Sequence, residues 1–210
     1  MPGPRLHPHP LLCLTLGLAL AAACLPVAAM QAQHPFMQAM TLSVLNGRWD
    51  GLDPVYAQEQ ILSGYARAAG QTLVSLETVQ SQLDVLIPDD PAQMLWMVDD
   101  VLSQIENGKG RRTLLRMVRT WERSQLDDFE RYEQWCECME TEHDRAFMRR
   151  INDERNPYLA QRIDALINEG RSVFAAVGAL HMTGPKSLPG LMAGLGYRVE
   201  RVAFVQVGPM

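Results

Sequence analysis

The stretch VFAAVGALHMTGPKS, residues Val173 to Ser187, carries the clearest structural signal in the chain. An uninterrupted apolar run up to Gly178 predicts a strand over Ser172–Gly178 that is buried on both faces of a parallel or mixed sheet. Ligands in such sheets bind beyond the carboxyl ends of the strands. His181 is predicted at that position, where an imidazole can bind a metal ion or transfer a proton. The alternative is a histidine that only fixes the loop by hydrogen bonding.

Two further apolar segments predict strands, and the region between them is helical. The first strand is predicted over Gln71–Glu77 and the last over Tyr197–Val205, after a short helix. Residues 91–168 show helical spacing with capping residues and form one long helical segment. A helical middle flanked by strand–helix units predicts an α/β fold with a small mixed or parallel sheet and a long helical insertion.

Glu77 and Arg155 are the other candidate site residues. Glu77 ends a predicted strand, so it would emerge at the same sheet edge as His181 if both strands run in the same direction. As an alternative, Glu77 only favours the start of the helix near Thr78. Arg155 stands before Asn156 and Pro157, which read as an N-cap and a first helical residue. An arginine at this place could bind a carboxylate through two hydrogen bonds.

Composition excludes some classes of function. The 210 residues carry a net charge of −5, so there is no basic excess to bind nucleic acid. The length allows one domain, or at most two small ones. GALHMTGPKS resembles a phosphate-binding loop only superficially, because five residues separate its glycines and a proline precedes the lysine. Nucleotide binding is therefore rejected.

The N-terminus has the pattern of a secretory signal. Between Arg5 and Arg48 there is no Lys, Arg, Asp or Glu, and the apolar run Leu11–Ala29 ends in small residues. Residues 1–29 are predicted to be a signal peptide, with cleavage after Ala29, or an apolar membrane anchor. We therefore expect a bacterial protein that is exported, either periplasmic or anchored, with membrane contact only through this segment.

Cys136 and Cys138 would remain after cleavage. Export favours a disulfide over free thiols. Residues two apart on a helix point in different directions, so a bond between them needs a non-helical bend. With His143 they match no closed zinc pattern, since a ligand is missing. Partly exposed cysteines on or beside a helix are favoured over such a metal site.

Several of these segments, in this order, resemble the TraB/GumN family, which includes the animal TIKI proteins. The matching segments are Ala68–Leu83, Glu154–Asn156 and Val173–Pro185, and the resemblance covers roughly residues 35–202. It implies an α/β fold and a metal-dependent peptidase with a peptide or protein substrate. It also implies that Gly178–His181 is the family's second G-x-x-H motif and that Glu77, Arg155 and His181 are catalytic. His181 and Glu77 would bind a divalent metal ion.

The sequence departs from the family pattern at the first G-x-x-H motif. His7, His9 and His34 have no glycine three residues before them. Residues 35–210 are therefore expected to be the C-terminal part of a larger TraB/GumN-like domain, with half of the metal-binding set missing. The alternatives to an enzyme are a non-catalytic exported binding protein and a truncated fragment. An unpaired sheet edge would favour a homodimer.

Overall fold

The computed structural model describes residues 27–30 and 32–202, together with Leu16 and Ala19. Its regular elements are helices α1 Val27–Met30, α2 Pro35–Leu45, α3 Gln58–Ala68, α4 Val79–Leu86, α5 Pro91–Glu106, α6 Lys109–Glu122, α7 Leu126–Glu130, α8 Tyr132–Trp135, α9 Glu142–Met148, α10 Asn156–Asn168 and α11 Leu188–Gly194. Shorter helical turns occupy Arg48–Asp50, Pro54–Tyr56, Arg149–Asp153 and Ala179–Met182. The fold of the described residues is helical.

The predicted α/β fold is wrong, because no strand forms in the part of the chain that the structure describes. The predicted strands at 71–77 and 172–178, and residues 197–202 of the third, are non-helical, and backbone hydrogen bonds do not pair them into a ladder. Residues 203–205 lie outside the described part. A strand exists only through pairing with a neighbour, so local apolar and β-branched composition cannot guarantee one. Phe174 is 80% exposed, which also contradicts a strand buried on both faces.

The chain divides into two compact units, of which the first spans residues 1–73 and 83–115. Helices α2 and α5 pack against each other in this unit. Their buried residues are Phe36, Gln38, Ala39 and Leu42 on α2, and Met94, Met97 and Val98 on α5. The predicted start of α5 is confirmed, since Asp90 accepts a hydrogen bond from the N–H of Ala92 at 3.0 Å and Pro91 follows it.

The second unit spans residues 74–82 and 116–210. Its core is the buried side of α10, where apolar residues recur at helical spacing, and α11 packs against this side. Leu159, Ala160 and Leu188 are buried there, and Leu76 and Val177 pack against them. Leu76 precedes Glu77 and Val177 precedes Gly178, so this core holds both extended segments beside the start of α10.

The predicted N-terminal signal, residues 1–29, lies almost entirely outside the described part of the chain. Within it the structure describes only Leu16, Ala19 and residues 27–29. Within the part of the chain that is described, no helix combines the length and the apolar character that crossing a bilayer requires. The homodimer stays a prediction.

Candidate functional site

The site lies in the second unit, where α10 begins. A wide helical turn of π type, Arg149–Asp153, ends just before Arg155 and Asn156. Such turns are rare and are frequent at functional sites. Pro157 follows as the second residue of α10 and favours the first turn, because its ring presets the helical φ angle and its missing N–H is not needed there. The chain thus directs Arg155 and Asn156 to the extended segments on either side.

Arg155 holds Glu77 through a bidentate ion pair. Its Nε donates to Oε1 of Glu77 at 2.9 Å, and its Nη2 donates to Oε2. The side chains are 20% and 7% exposed, so water screens this pair only partly. Nη1 donates to the carbonyl of Ile151 at 2.9 Å, which fixes the guanidinium from the preceding turn. The predicted contact between Arg155 and a carboxylate is present.

His181 is held by Asn156. Nδ1 of the imidazole lies 2.5 Å from Oδ1 of Asn156, whose side chain is fully buried. Nδ2 of Asn156 donates to the carbonyl oxygens of Lys186 at 2.8 Å and of His181 itself at 3.4 Å. Since the amide nitrogen must face these two carbonyls, its oxygen faces the imidazole, and Nδ1 carries the proton. The other nitrogen, Nε2, therefore keeps its lone pair.

Burial and charged neighbours shift the pKa values of His181 and Glu77. Burial lowers the pKa of His181, and the positive charge of Arg155 lowers it further, whereas Glu77 and Asp153 act in the opposite direction. The hydrogen bond from Arg155 holds the pKa of the Glu77 carboxyl below its ordinary value, against the effect of burial. At neutral pH the site therefore contains a neutral imidazole, a carboxylate and a guanidinium.

The structure brings together all three residues that the sequence singled out. Glu77, Arg155 and His181 come from three separate segments, and each influences the charge state of another. They meet beside the start of α10, in place of the predicted sheet edge. The extended segment before His181 ends in the turn Ala179–Met182, where the N–H of His181 donates to the carbonyl of Gly178 at 3.0 Å.

Sequence reasoning missed Asn156 and Asn152. Asn156 was interpreted as an N-cap, but it is the first residue of α10 and its side chain turns to the His181 loop. Nδ2 of Asn152 donates to the carbonyl of Leu180 at 3.3 Å. The one available signal was that Asn156 follows Arg155 directly in the segment Glu154–Asn156, which resembles the family.

The donor set does not make a metal centre by itself. Catalytic zinc sites use three protein ligands and keep one position open. Here Nε2 of His181 is one candidate ligand, and Glu77 is the second but already binds Arg155 through both oxygens. Among the residues that the structure describes, no group of three or more His, Cys, Asp and Glu side chains is arranged to hold a metal ion. We therefore assign no step of a mechanism to a metal ion.

One comparison with known proteins gave a match. The sequence model of the TraB/PrgY/gumN family matches residues 9–201, which is most of the chain and includes every residue of the site. No curated protein and no solved structure gave a significant match.

Proposed function

Because this chain belongs to the TraB/PrgY/gumN family, we propose that it is a hydrolase in which the imidazole of His181 acts as a general base on water. The observation that carries the proposal is the contact between Nδ1 of His181 and Oδ1 of Asn156. It leaves Nε2 as a proton acceptor, and this atom has no hydrogen-bond partner among the described residues. The lowered pKa keeps the imidazole neutral near pH 7, as a base requires.

The proposed reaction follows from the charges of the site. Nε2 takes a proton from water, and the oxygen of that water attacks the substrate carbonyl carbon. The same imidazole then returns the proton to the leaving group as the carbon–heteroatom bond breaks. Negative charge develops on the carbonyl oxygen in between, and a nearby cation stabilises it.

Arg155 is the cation that this chain offers for that charge. Three of its five N–H groups bind Glu77 and Ile151, and the other two have no partner among the residues described. Glu77 acts as a positioning residue, since its bidentate bond fixes the plane of the guanidinium. A peptide or protein as substrate follows only from the resemblance to peptidases.

The decisive experiment uses the purified chain without residues 1–29 and a mixture of peptides. New peptide termini are counted by mass spectrometry for the wild type and for His181→Ala. We expect cleavage that His181→Ala abolishes and that His143→Ala, a substitution outside the site, leaves intact. Cleavage that survives in His181→Ala would disprove the proposal. Parallel arms with a chelator and with added divalent ions test the metal dependence that only the family resemblance implies.

A second candidate function is non-catalytic binding in the same site. The pairing of Glu77 with Arg155 favours it, because each residue neutralises the charge of the other. This candidate predicts no cleavage by any variant. It also predicts that a peptide which binds the wild type loses affinity in His181→Ala, as measured by calorimetry.

We also propose that the chain is exported from a bacterial cell. The uncharged run Leu11–Ala29 supports this, and so does the bond between Cys136 and Cys138, because disulfides persist in oxidising compartments. N-terminal sequencing of protein recovered from the periplasm should find a start after Ala29. Full-length chain confined to the cytoplasmic fraction would contradict export.

A further inference from the structure

Cys136 and Cys138 are joined by a disulfide that encloses a single residue. This confirms the sequence expectation that a bond between these cysteines needs a bend outside helical geometry. Helix α8 ends at Trp135, and Glu137 has a φ of +54°. Left-handed backbone is unfavourable for a residue other than glycine. The bond is therefore closed over a strained residue.

Such a bond does little as a cross-link. A disulfide stabilises a fold mainly by restricting the unfolded chain, and the effect grows with the length of the loop it closes. The loop from Cys136 to Cys138 is close to the shortest that two cysteines can form. The strain at Glu137 would be released on reduction, so the fold has little to lose when this bond opens.

Both sulfur atoms receive a hydrogen bond. The backbone N–H of Cys138 donates to Sγ of Cys136 at 3.2 Å, and the hydroxyl of Tyr132 donates to Sγ of Cys138 at 3.4 Å. Burial raises the pKa of Tyr132 to about 12, so this hydroxyl stays protonated and remains a donor. Arg145 donates to the carbonyl of Met139 next to this loop at 2.9 Å, but its charge is paired with Glu142 at 3.1 Å, so the two hydrogen bonds carry the argument. Hydrogen-bond donors favour thiolates over thiols.

We propose that Cys136 and Cys138 form a thiol–disulfide exchange centre that reacts with external thiols, separate from the His181 site. Stabilised thiolates make the reduced form favourable, which is what turns a disulfide into an oxidant. Cys136 is 1% exposed, whereas Cys138 is only partly buried, so an external thiol reaches Cys138 first.

The exchange is balanced in two steps. An external thiolate attacks Sγ of Cys138, the bond to Sγ of Cys136 breaks, and Cys136 leaves as a thiolate that accepts the N–H of Cys138. A second external thiolate attacks the external sulfur of the mixed disulfide, and Cys138 leaves as a thiolate next to Tyr132. Two external thiolates are thereby oxidised to one disulfide, and two electrons pass to the protein. Cys136 and Cys138 are left as thiolates, and the protons of the external thiols stay with the solvent.

The test equilibrates the full chain in buffers of reduced and oxidised glutathione and counts free thiols by alkylation and mass spectrometry. We expect Cys136 and Cys138 to become half reduced within the range of these buffers, with the circular dichroism spectrum unchanged. A bond that survives the most reducing glutathione buffer overturns the proposal. Loss of the helical spectrum on reduction also overturns it, because the bond would then be structural.

Four variants sharpen the test. Tyr132→Phe removes one donor and should shift the equilibrium toward the disulfide by roughly tenfold. Glu137→Gly relieves the strain and should shift it in the same direction. Cys136→Ser should trap glutathione on Cys138 much faster than Cys138→Ser traps it on Cys136. Equal trapping rates, or equilibria unchanged by both Tyr132→Phe and Glu137→Gly, would refute the assignment.

Discussion

Oδ1 of Asn156 lies 2.5 Å from Nδ1 of His181, and this contact determines which nitrogen of the imidazole is left to react. The amide is fully buried, and its nitrogen is held by the carbonyl oxygens of Lys186 and His181. The side-chain amide of Asn156 is thus bound on both sides, and exchanging the places of its oxygen and nitrogen would break the hydrogen bonds from Nδ2 to these two carbonyls. The tautomer of His181 is consequently set by the first residue of α10.

Replacing Asn156 should therefore affect both stability and tautomer. Asn156→Ala removes the partner of Nδ1 and leaves the carbonyl of Lys186 without its donor, which should cost about 2 kcal/mol of unfolding free energy. Loss of an orienting partner should also reduce turnover by roughly tenfold or more. Urea unfolding measures the first effect, and the ¹⁵N chemical shifts of the imidazole report the tautomer.

Asn152→Ala is the matched control for this change. Asn152 also donates to the His181 loop, at the carbonyl of Leu180, whereas the hydrogen-bond partner of the imidazole within the described chain is Asn156. We expect some loss of stability and no change in tautomer. If both variants leave His181 protonated on Nδ1, the assigned role of Asn156 is wrong.

Two substitutions in the pair of Arg155 and Glu77 separate the contribution of charge to stability from that of bidentate geometry. Arg155→Lys keeps the charge but loses the bidentate bond, so we expect a loss of about 1 kcal/mol in unfolding free energy. Glu77→Gln leaves a largely buried guanidinium without a counter-charge and should cost about 3 kcal/mol. In a double-mutant cycle, the loss of unfolding free energy in the double variant should be smaller than the sum of the two single losses. Strict additivity would show that the residues do not interact.

The same pair predicts a specific dependence on acid. The pKa of Glu77 is lowered from 4.5 in the folded chain, so the unfolded chain binds more protons as the carboxylate is titrated. Its contribution to stability is complete above the unfolded value of 4.5 and is lost as the pH falls through the folded value. The difference in unfolding free energy between the wild type and Glu77→Gln should therefore shrink in acid. A constant difference would contradict the ion pair.

His181 should destabilise the fold in mild acid. Burial lowers its pKa from 6.5, so the unfolded state takes up a proton first as the pH falls below 6.5, and stability decreases down to the folded pKa. The pKa of His34 is lowered by burial as well, so both residues contribute. Denaturation curves of His181→Gln and His34→Gln across this range separate the two, and each variant should lose part of the pH dependence. No change in His181→Gln would contradict its buried neutral state.

The sequence was sufficient to single out Glu77, Arg155 and His181, but it predicted a sheet that the described residues do not form. Glu77 and His181 each follow an apolar segment, and those segments do pack on one core, through Leu76 and Val177. The apolar pattern of these segments therefore indicates that they pack against a core, and not that they form strands. Whether such a segment also pairs into a ladder depends on a neighbour elsewhere in the chain, which no local pattern specifies.

Asn156 illustrates a different limit. An asparagine before proline is a good N-cap, so the local sequence explains Asn156 without any partner distant in the chain. Its actual partner, His181, is 25 residues away in the sequence. Two neighbouring positions, Arg155 and Asn156, thus had competing local explanations, and only the path of the chain through the turn at Arg149–Asp153 decides between them.

The glycines around His181 offer a last prediction, because the G-x-x-H motif invites the view that Gly178 needs an unusual backbone. Its φ is −58°, and a Cβ there would lie 3.6 Å from Cδ2 of His181, an ordinary contact. Gly178→Ala should consequently change the unfolding free energy by less than about 0.5 kcal/mol. Gly184 has a φ of +81°, so Gly184→Ala should cost about 1–2 kcal/mol. Urea unfolding compares the two variants through their midpoints, provided that the dependence of free energy on urea has the same slope. A larger loss of unfolding free energy in Gly178→Ala than in Gly184→Ala would mean that the segment adopts another conformation in solution.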